Sequence, residues 1–245
     1  MKQFADLHLQ PNLDRREQIE KIVSKASDLG YSLVGVSLPP KVKPDTIRFL
    51  RKICRNYRVD FAMRIDLTPK SSGELLKSLR QFRRKFELVS VNCFSKSVAR
   101  QAAKDHRVDF VVFPSRNPRE RFFDYAEARL ASQGAAAFEI DMALILRSAG
   151  FSRVRLLSCL RREAAIAEKL GVPVVISGGA VDSFQLRGPH DFASIAVLFG
   201  MDSVAALNAV SITPLGIVER NRKKLDSSYV ARSIRVVRRG RNCGS

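Results

Sequence analysis

The sequence predicts a TIM-like (β/α) barrel, and three observations lead there. Short β-rich runs alternate with amphipathic segments along most of the chain. The spacing repeats about every 25 residues, the length of one βα unit. Several of the β-rich runs are apolar on both faces, which suits a parallel sheet covered by helices. An open doubly wound sheet would want a Gly-rich loop after the first strand, and FADLHLQPN has none.

The elements follow in order. FADLHL opens the chain as a first strand. Ile19, Ile22, Val23 and Ala26 then form one helical face, and Gly30 stands where a C-terminal stop belongs. SLVGVSL (32–38) and VDFAMRIDL (59–67) are the next strands. Ser71-x-x-Glu74 reads as a capping box before the face Leu75, Leu79, Phe82. ELVSVNC (87–93), VDFVVFP (108–114), AAAFEID (135–141) and VPVVISG (172–178) continue the strand series. Pro189 opens a helix with Phe192, Ile195, Ala196 and Phe199 on one side, closed by Gly200. RVDF occurs twice, at Arg58–Phe61 and Arg107–Phe110, each time leading into a strand. One barrel over residues 1–225 is expected, followed by a basic tail, 226–245, partly disordered until it meets RNA.

Charge is the loudest global feature. A formal net charge of +19 and a pI near 10.5 favour a polyanionic partner, nucleic acid above all. The bland alternative is a halo of solvated lysines, but Arg recurs in doublets such as Arg15-Arg16, Arg83-Arg84 and Arg161-Arg162. The planar guanidinium fork suits phosphate. No run of eighteen apolar residues suggests a membrane span, and Lys2, Gln3 and Asp6 do not read as a signal peptide. Cys54, Cys93, Cys159 and Cys243 form no C-x-x-C pair and fit idle thiols in a reducing cytoplasm.

Four candidate sites stand out. Asp6 and His8 are two apart on the first strand, so both could face one metal. Only three histidines exist, however, and His106 and His190 are poorly placed to join His8. Asp66, Glu139, Asp141 and Asp182 lie near strand ends and leave an oxygen-rich Mg²⁺ site open. Second, ISGGAVDS (176–183) could hold phosphate on backbone amides or be a tight turn needing positive φ. Third, Lys41, Lys43, Arg64, Lys70, Arg116, Arg119, Arg121 and Arg187 fall at strand ends and in loops, where they would form a phosphate-tracking face. Arg232, Arg235, Arg238 and Arg239 extend it into the tail. Fourth, no G-x-S-x-G, Walker loop, H-E-x-x-H, RRM or KH signature is found, and Trp is absent, so aromatic stacking is not the obvious mode of RNA contact.

Leu186-Arg187-Gly188-Pro189, Asp191 and Leu198-Phe199-Gly200-Met201 resemble the late segment of ribonuclease P protein component 3, the archaeal counterpart of the thirty-kilodalton subunit of the eukaryotic enzyme. Phe4-Ala5-Asp6-Leu7 is similar to that family's first strand, and Ala209-Val210-Ser211 to its last helical region. The resemblance implies a barrel distantly related to the polymerase and histidinol phosphatase (PHP) metallohydrolases. It implies a subunit of the endoribonuclease that removes the 5′ leader from precursor tRNA, with the active site and its Mg²⁺ carried by RNA. It further implies pairing with component 2, the Pop5 homologue, as a heterotetramer. No catalytic residue and no cofactor of its own are then expected, and Asp6 and His8 become vestigial. The rival is a metal-dependent PHP-like phosphoesterase using Asp6, His8 and the strand-end acids. A third possibility is a nonspecific basic nucleic-acid binder.

Overall fold

In the computed structural model, residues 3–115, 117–231 and 234–235 are described. Seven strands, β1 (Phe4–Leu9), β2 (Tyr31–Ser37), β3 (Asp60–Leu67), β4 (Leu88–Asn92), β5 (Phe110–Val112), β6 (Ala137–Asp141) and β7 (Val174–Ser177), pair in chain order. Every pairing between them is parallel. The helices are α1 (Arg16–Asp28), α2 (Pro44–Asn56), α3 (Ser72–Phe82), α4 (Lys96–Lys104), α5 (Tyr125–Gln133), α6 (Met142–Leu146), α7 (Gly150–Lys169), α8 (Pro189–Leu198), α9 (Ser203–Ala209) and α10 (Ile212–Leu225). The expected barrel is present. Its fifth strand is shorter than the apolar run 108–114, because Phe113 leaves the ladder to pack with Phe123 and Phe138.

Local sequence explains the helices. Ile19, Ile22, Val23 and Ala26 are the buried stripe of α1, and Gly30 takes a φ of 87° just beyond it. Fully burying an Ile or Val side chain contributes about 1.5–3 kcal/mol, so this stripe outweighs the helix's many exposed charges. Ser71 caps α3 by accepting from the Glu74 N–H, as the capping box predicts. Cys54, Cys93 and Cys159 are free and buried, and burial pushes the Cys54 and Cys93 thiols up to about 12. Cys243 lies outside the described residues.

The ring closes in an unusual way. Between β1 and the chain just after β7 there is a single bridge, Leu9 to Ala180, supported by the Gln10 N–H donating to the Ala180 carbonyl at 2.8 Å. Nearer the N-terminal end of β1, Ala5 N–H donates instead to Val210 at the α9–α10 junction, 3.0 Å away. Helix α10 seals this end of the barrel. Its Ile217 and Val218 join Ala5, Leu7, Leu33, Ala62, Leu88, Phe110, Ala137 and Val175 in the inner core.

The repeated RVDF now has a reason. Asp60 and Asp109, the acids of the two copies, both fasten α10. Asp60 accepts from Arg222, and Asp109 accepts from Arg220 at 3.2 Å and Asn221 at 2.8 Å. Asp109 also takes the Val89 N–H and the Arg83 guanidinium, so a buried carboxylate is fully partnered. Of the basic segment 226–245, Tyr229–Ala231 pairs antiparallel with Ile234–Arg235. Among the described residues no helix is long and apolar enough to cross a membrane.

Candidate functional site

The interior of the barrel is built around one cation. On β3, Ala62, Arg64 and Asp66 alternate toward the axis, and Arg64 is completely buried. Its Nη1 and Nη2 donate to the two oxygens of Glu139 on β6 at 2.5 and 2.7 Å. Its Nε donates to Asp66 at 2.8 Å, and Nη1 also reaches the Leu7 carbonyl at 3.0 Å. The guanidinium lies 5.4 Å from the Phe110 ring centroid. Ser177 and Ser90 complete the shell of Glu139. Burial opposes the charge on Arg64, but Asp66 and Glu139 outweigh it and raise its pKa. Burial likewise opposes the Asp66 carboxylate, and Arg64 overrides it and holds Asp66 well below the usual range.

Asp6 and His8 do not face one point, contrary to the simple strand argument. Asp6 pairs with Val34 while Leu9 pairs with Val36, so β1 carries one extra residue between them. Asp6 turns to the loop after β7, where its Oδ1 accepts from Gly178 N–H at 2.9 Å and from the His8 backbone at 3.1 Å. Burial pushes its carboxyl up to about 6. The His8 ring instead lies 3.6 Å from both Asp66 and Asp141. Burial and Arg64 disfavour its charge, but those two acids prevail and raise its pKa. Asp6 Oδ2 and His8 Nδ1 are buried without hydrogen-bond partners.

A metal of the kind the rival phosphoesterase reading requires does not fit beside Arg64. The carboxylates of Asp66 and Glu139 are already committed to its guanidinium, and a second cation would meet it at close range. Among the described residues no group of three or more His, Cys, Asp or Glu is arranged to hold a metal. Asp182 is also engaged locally, accepting from Phe184 and Gln185 N–H.

ISGGA is a turn shaped around two carboxylates. The Gly178 N–H is taken by Asp6, and Gly179 has a φ of 59°. A Cβ at Gly178 would lie 2.4 Å from an Asp6 oxygen, and one at Gly179 would lie 2.2 Å from an Asp141 oxygen. Glycine is required at both positions.

The loops that leave the C-terminal strand ends share one face of the barrel. Lys41 and Lys43 lie between β2 and α2, Lys70 between β3 and α3, Arg119 between β5 and α5, and Arg187 between β7 and α8, all exposed. Arg187 departs from that face: its carbonyl accepts from the hydroxyl of Tyr31, the first residue of β2, at 2.9 Å, and its guanidinium donates to the Phe184 and Leu186 carbonyls at 2.6 and 2.9 Å. Arg64 and Arg121 must be removed from this surface. Arg64 is at the barrel axis. Arg121 is 6 % exposed and forks onto Glu163 of α7 at 2.8 and 2.5 Å, with Nη1 on the Phe113 and Ser115 carbonyls. Both guanidinium groups are turned inward onto buried carboxylates and carbonyls, away from any phosphate at the surface. Arg116, Arg232, Arg238 and Arg239 lie outside the described residues, and of Arg235 only the backbone, in the short strand Ile234–Arg235, is described. Three further exposed arginines stand in or beside these loops: Arg15 and Arg16 before or at the start of α1, noted in the sequence as a doublet but not placed on this face, and Arg147 after α6, which sequence reading missed. Their position just beyond a strand was the available signal.

Comparison with known proteins agrees with this architecture. The family model described as RNase P subunit p30 matches residues 3–226. Ribonuclease P protein component 3 of Methanococcoides burtonii is 27% identical over 235 residues, covering 96% of this chain and 94% of that one. A chain in the cryo-EM structure of archaeal ribonuclease P with mature tRNA superposes with a TM-score of 0.82 at 21% identity, over 95% of this chain and 98% of that chain. The fold likeness extends to A. niger ochratoxinase, with a TM-score of 0.60 at 11% identity over 89% of this chain and 71% of that one. The match over nearly the whole barrel, including the closing helix α10, makes this chain a member of the RNase P subunit p30 family.

Proposed function

We propose that this subunit acts in ribonuclease P by binding RNA through the loop face of its barrel, supporting removal of the 5′ leader from precursor tRNA. The observation that carries the reading is the set of exposed cations Lys41, Lys43, Lys70 and Arg119 in the loops that leave the strand ends, in a chain of net charge +19. Such a face neutralises closely spaced phosphates and lets folded RNA pack at lower Mg²⁺. On this reading the Mg²⁺ ions of the reaction sit on the RNA and this chain supplies no reacting group. The partners are the RNase P RNA, precursor tRNA and component 2, the Pop5 homologue, in a heterotetramer, in the cytoplasm. The component 3 relatives and the archaeal ribonuclease P chain support the assignment.

The test is reconstitution of precursor-tRNA cleavage with and without the chain, together with RNA binding over a salt series. Contact with about six phosphates gives a log–log slope of about −4 to −5. Changing Lys41, Lys43 and Lys70 together to Ala should make that slope shallower by about 2 to 3. A wild-type slope near zero, or cleavage indifferent to the subunit, overturns the reading.

A further inference from the structure

We propose that the cleft between α5 and α7 binds one unpaired RNA nucleotide, with its base stacked on Tyr125 and its phosphates met by Lys96, Arg162 and Lys169. This rests on the RNA-binding reading and adds a second mode of contact to it, away from the lysines of the loop face.

The cleft measures about 580 Å³, inside the roughly 300–1,000 Å³ range of ligand pockets. Tyr125 is the first residue of α5 and is 54% exposed. Its position is fixed, because Asp124 caps the helix by accepting from Ala126 N–H at 2.8 Å and Glu127 N–H at 3.3 Å. Phe122 and Ile166 supply apolar wall beside it. An exposed ring on a rigid backbone beside an apolar wall is a platform for a base, since every base offers a flat π-face.

The charges around the ring match a phosphate. Lys169 Nζ lies over one face of the Tyr125 ring, 5.5 Å from its centroid, so a base stacking on that face displaces the ammonium toward the phosphate. Arg162 is exposed, lines the same cleft, and has no ion pair among the described residues. Lys96 lies 3.4 Å from Asp124, whose carboxylate is shared with the helix cap. The other charged pair of the wall, Arg121 with Glu163, is internally neutral. The cleft therefore presents more positive than negative charge next to an aromatic face. That combination selects a nucleotide of a flexible strand over duplex RNA, whose bases are already stacked. It also disfavours an acidic peptide, which would use the cations and leave the ring idle.

The experiment uses the full chain and two labelled probes, a single-stranded oligoadenylate hexamer and a blunt-ended RNA duplex, each over a salt series. Tyr125→Ala should weaken hexamer binding by about 5- to 150-fold, the range for losing one base–aromatic stack, with an unchanged salt slope. Tyr125→Phe should bind as wild type, because the ring and not the hydroxyl is used. Arg162→Ala with Lys169→Ala should flatten the hexamer slope by about 0.7 per lost phosphate contact. Duplex binding should be indifferent to Tyr125→Ala. If the hexamer binds Tyr125→Ala as it binds wild type, or if the duplex loses as much, the stacking site is wrong while loop-face binding stands. Failure of wild type to bind either RNA would bring down the broader reading instead. An acidic peptide displacing the hexamer without any effect of Tyr125→Ala would reassign the cleft to protein.

Discussion

Replacing Arg64 by Met removes the cation from the barrel axis while keeping much of the side-chain bulk. Glu139 is then left with its side chain wholly buried and only the hydroxyls of Ser177 and Ser90 as partners. Breaking one side of a buried ion pair costs about 3–5 kcal/mol, because the remaining charge is desolvated and unmatched. Against a whole-domain stability of about 5–15 kcal/mol this is a large fraction. Urea unfolding followed by circular dichroism at pH 7 should show it as a lower midpoint. Arg64→Met with Glu139→Gln should recover more than half of the loss, since apolar and neutral replacements of both partners avoid the orphan charge. A single variant within about 0.5 kcal/mol of wild type would refute the argument, as that is the range of ordinary surface changes. So would a variant of unchanged stability that binds RNA less tightly, because it would return Arg64 to the phosphate-contacting set.

Two further outcomes test the rest of the frame. The Asp6 carboxyl is held at about 6 in the fold against 3.8 when exposed, so the fold favours its protonated form. Its contribution to stability is complete below about 3.8 and is lost as pH rises through about 6, a swing of about 3 kcal/mol. Asp6→Asn should therefore gain on wild type by about that amount between pH 4 and 7 in matched urea titrations, and parallel curves would contradict it. Asp109→Ala should lower stability by about 3 kcal/mol or more, leaving Asn221 and the Val89 N–H short of an acceptor, and should expose α10 first to limited proteolysis. Resistance of α10 equal to wild type would count against its being fastened by that acid.

The strand–helix alternation was legible because each βα unit carries its own signals, apolar runs, caps and stop glycines. The plug was not. Ile217 and Val218 end the largely apolar first half of α10, just before its run of polar and charged residues, and only the gap in the ring shows what they cover. Arg64 was conspicuous as a charge embedded in an apolar strand, yet its assignment to the surface was wrong. Its partner Glu139 is 75 residues away, and nothing local reveals that the two strands place them opposite each other across the interior. The expectation that Asp6 and His8 point the same way fails for a different reason: one extra residue in β1 breaks the period-two rule, and a bulge leaves no local mark in FADLHL. That Lys41, Lys43 and Lys70 are exposed in loops was legible because position after a strand suffices in this topology. Tyr125 was passed over because its exposure depends on how α5 meets α7.

The manner in which the ring closes bears on how the chain is made. Neighbouring strands can pair as they emerge, since each ladder joins segments close in sequence. Asp6 and Gly178, which meet at closure, are 172 residues apart, and the helix that seals the opposite end comes later still. A nascent chain that has emerged only through β7 keeps Leu7, Phe110 and Val175 without the cover of Ile217 and Val218. Contacts of such long sequence separation form late, because the loop entropy must be overcome first. Translation of α10 is thus the step that turns an adhesive half-built sheet into a sealed body ready to receive RNA.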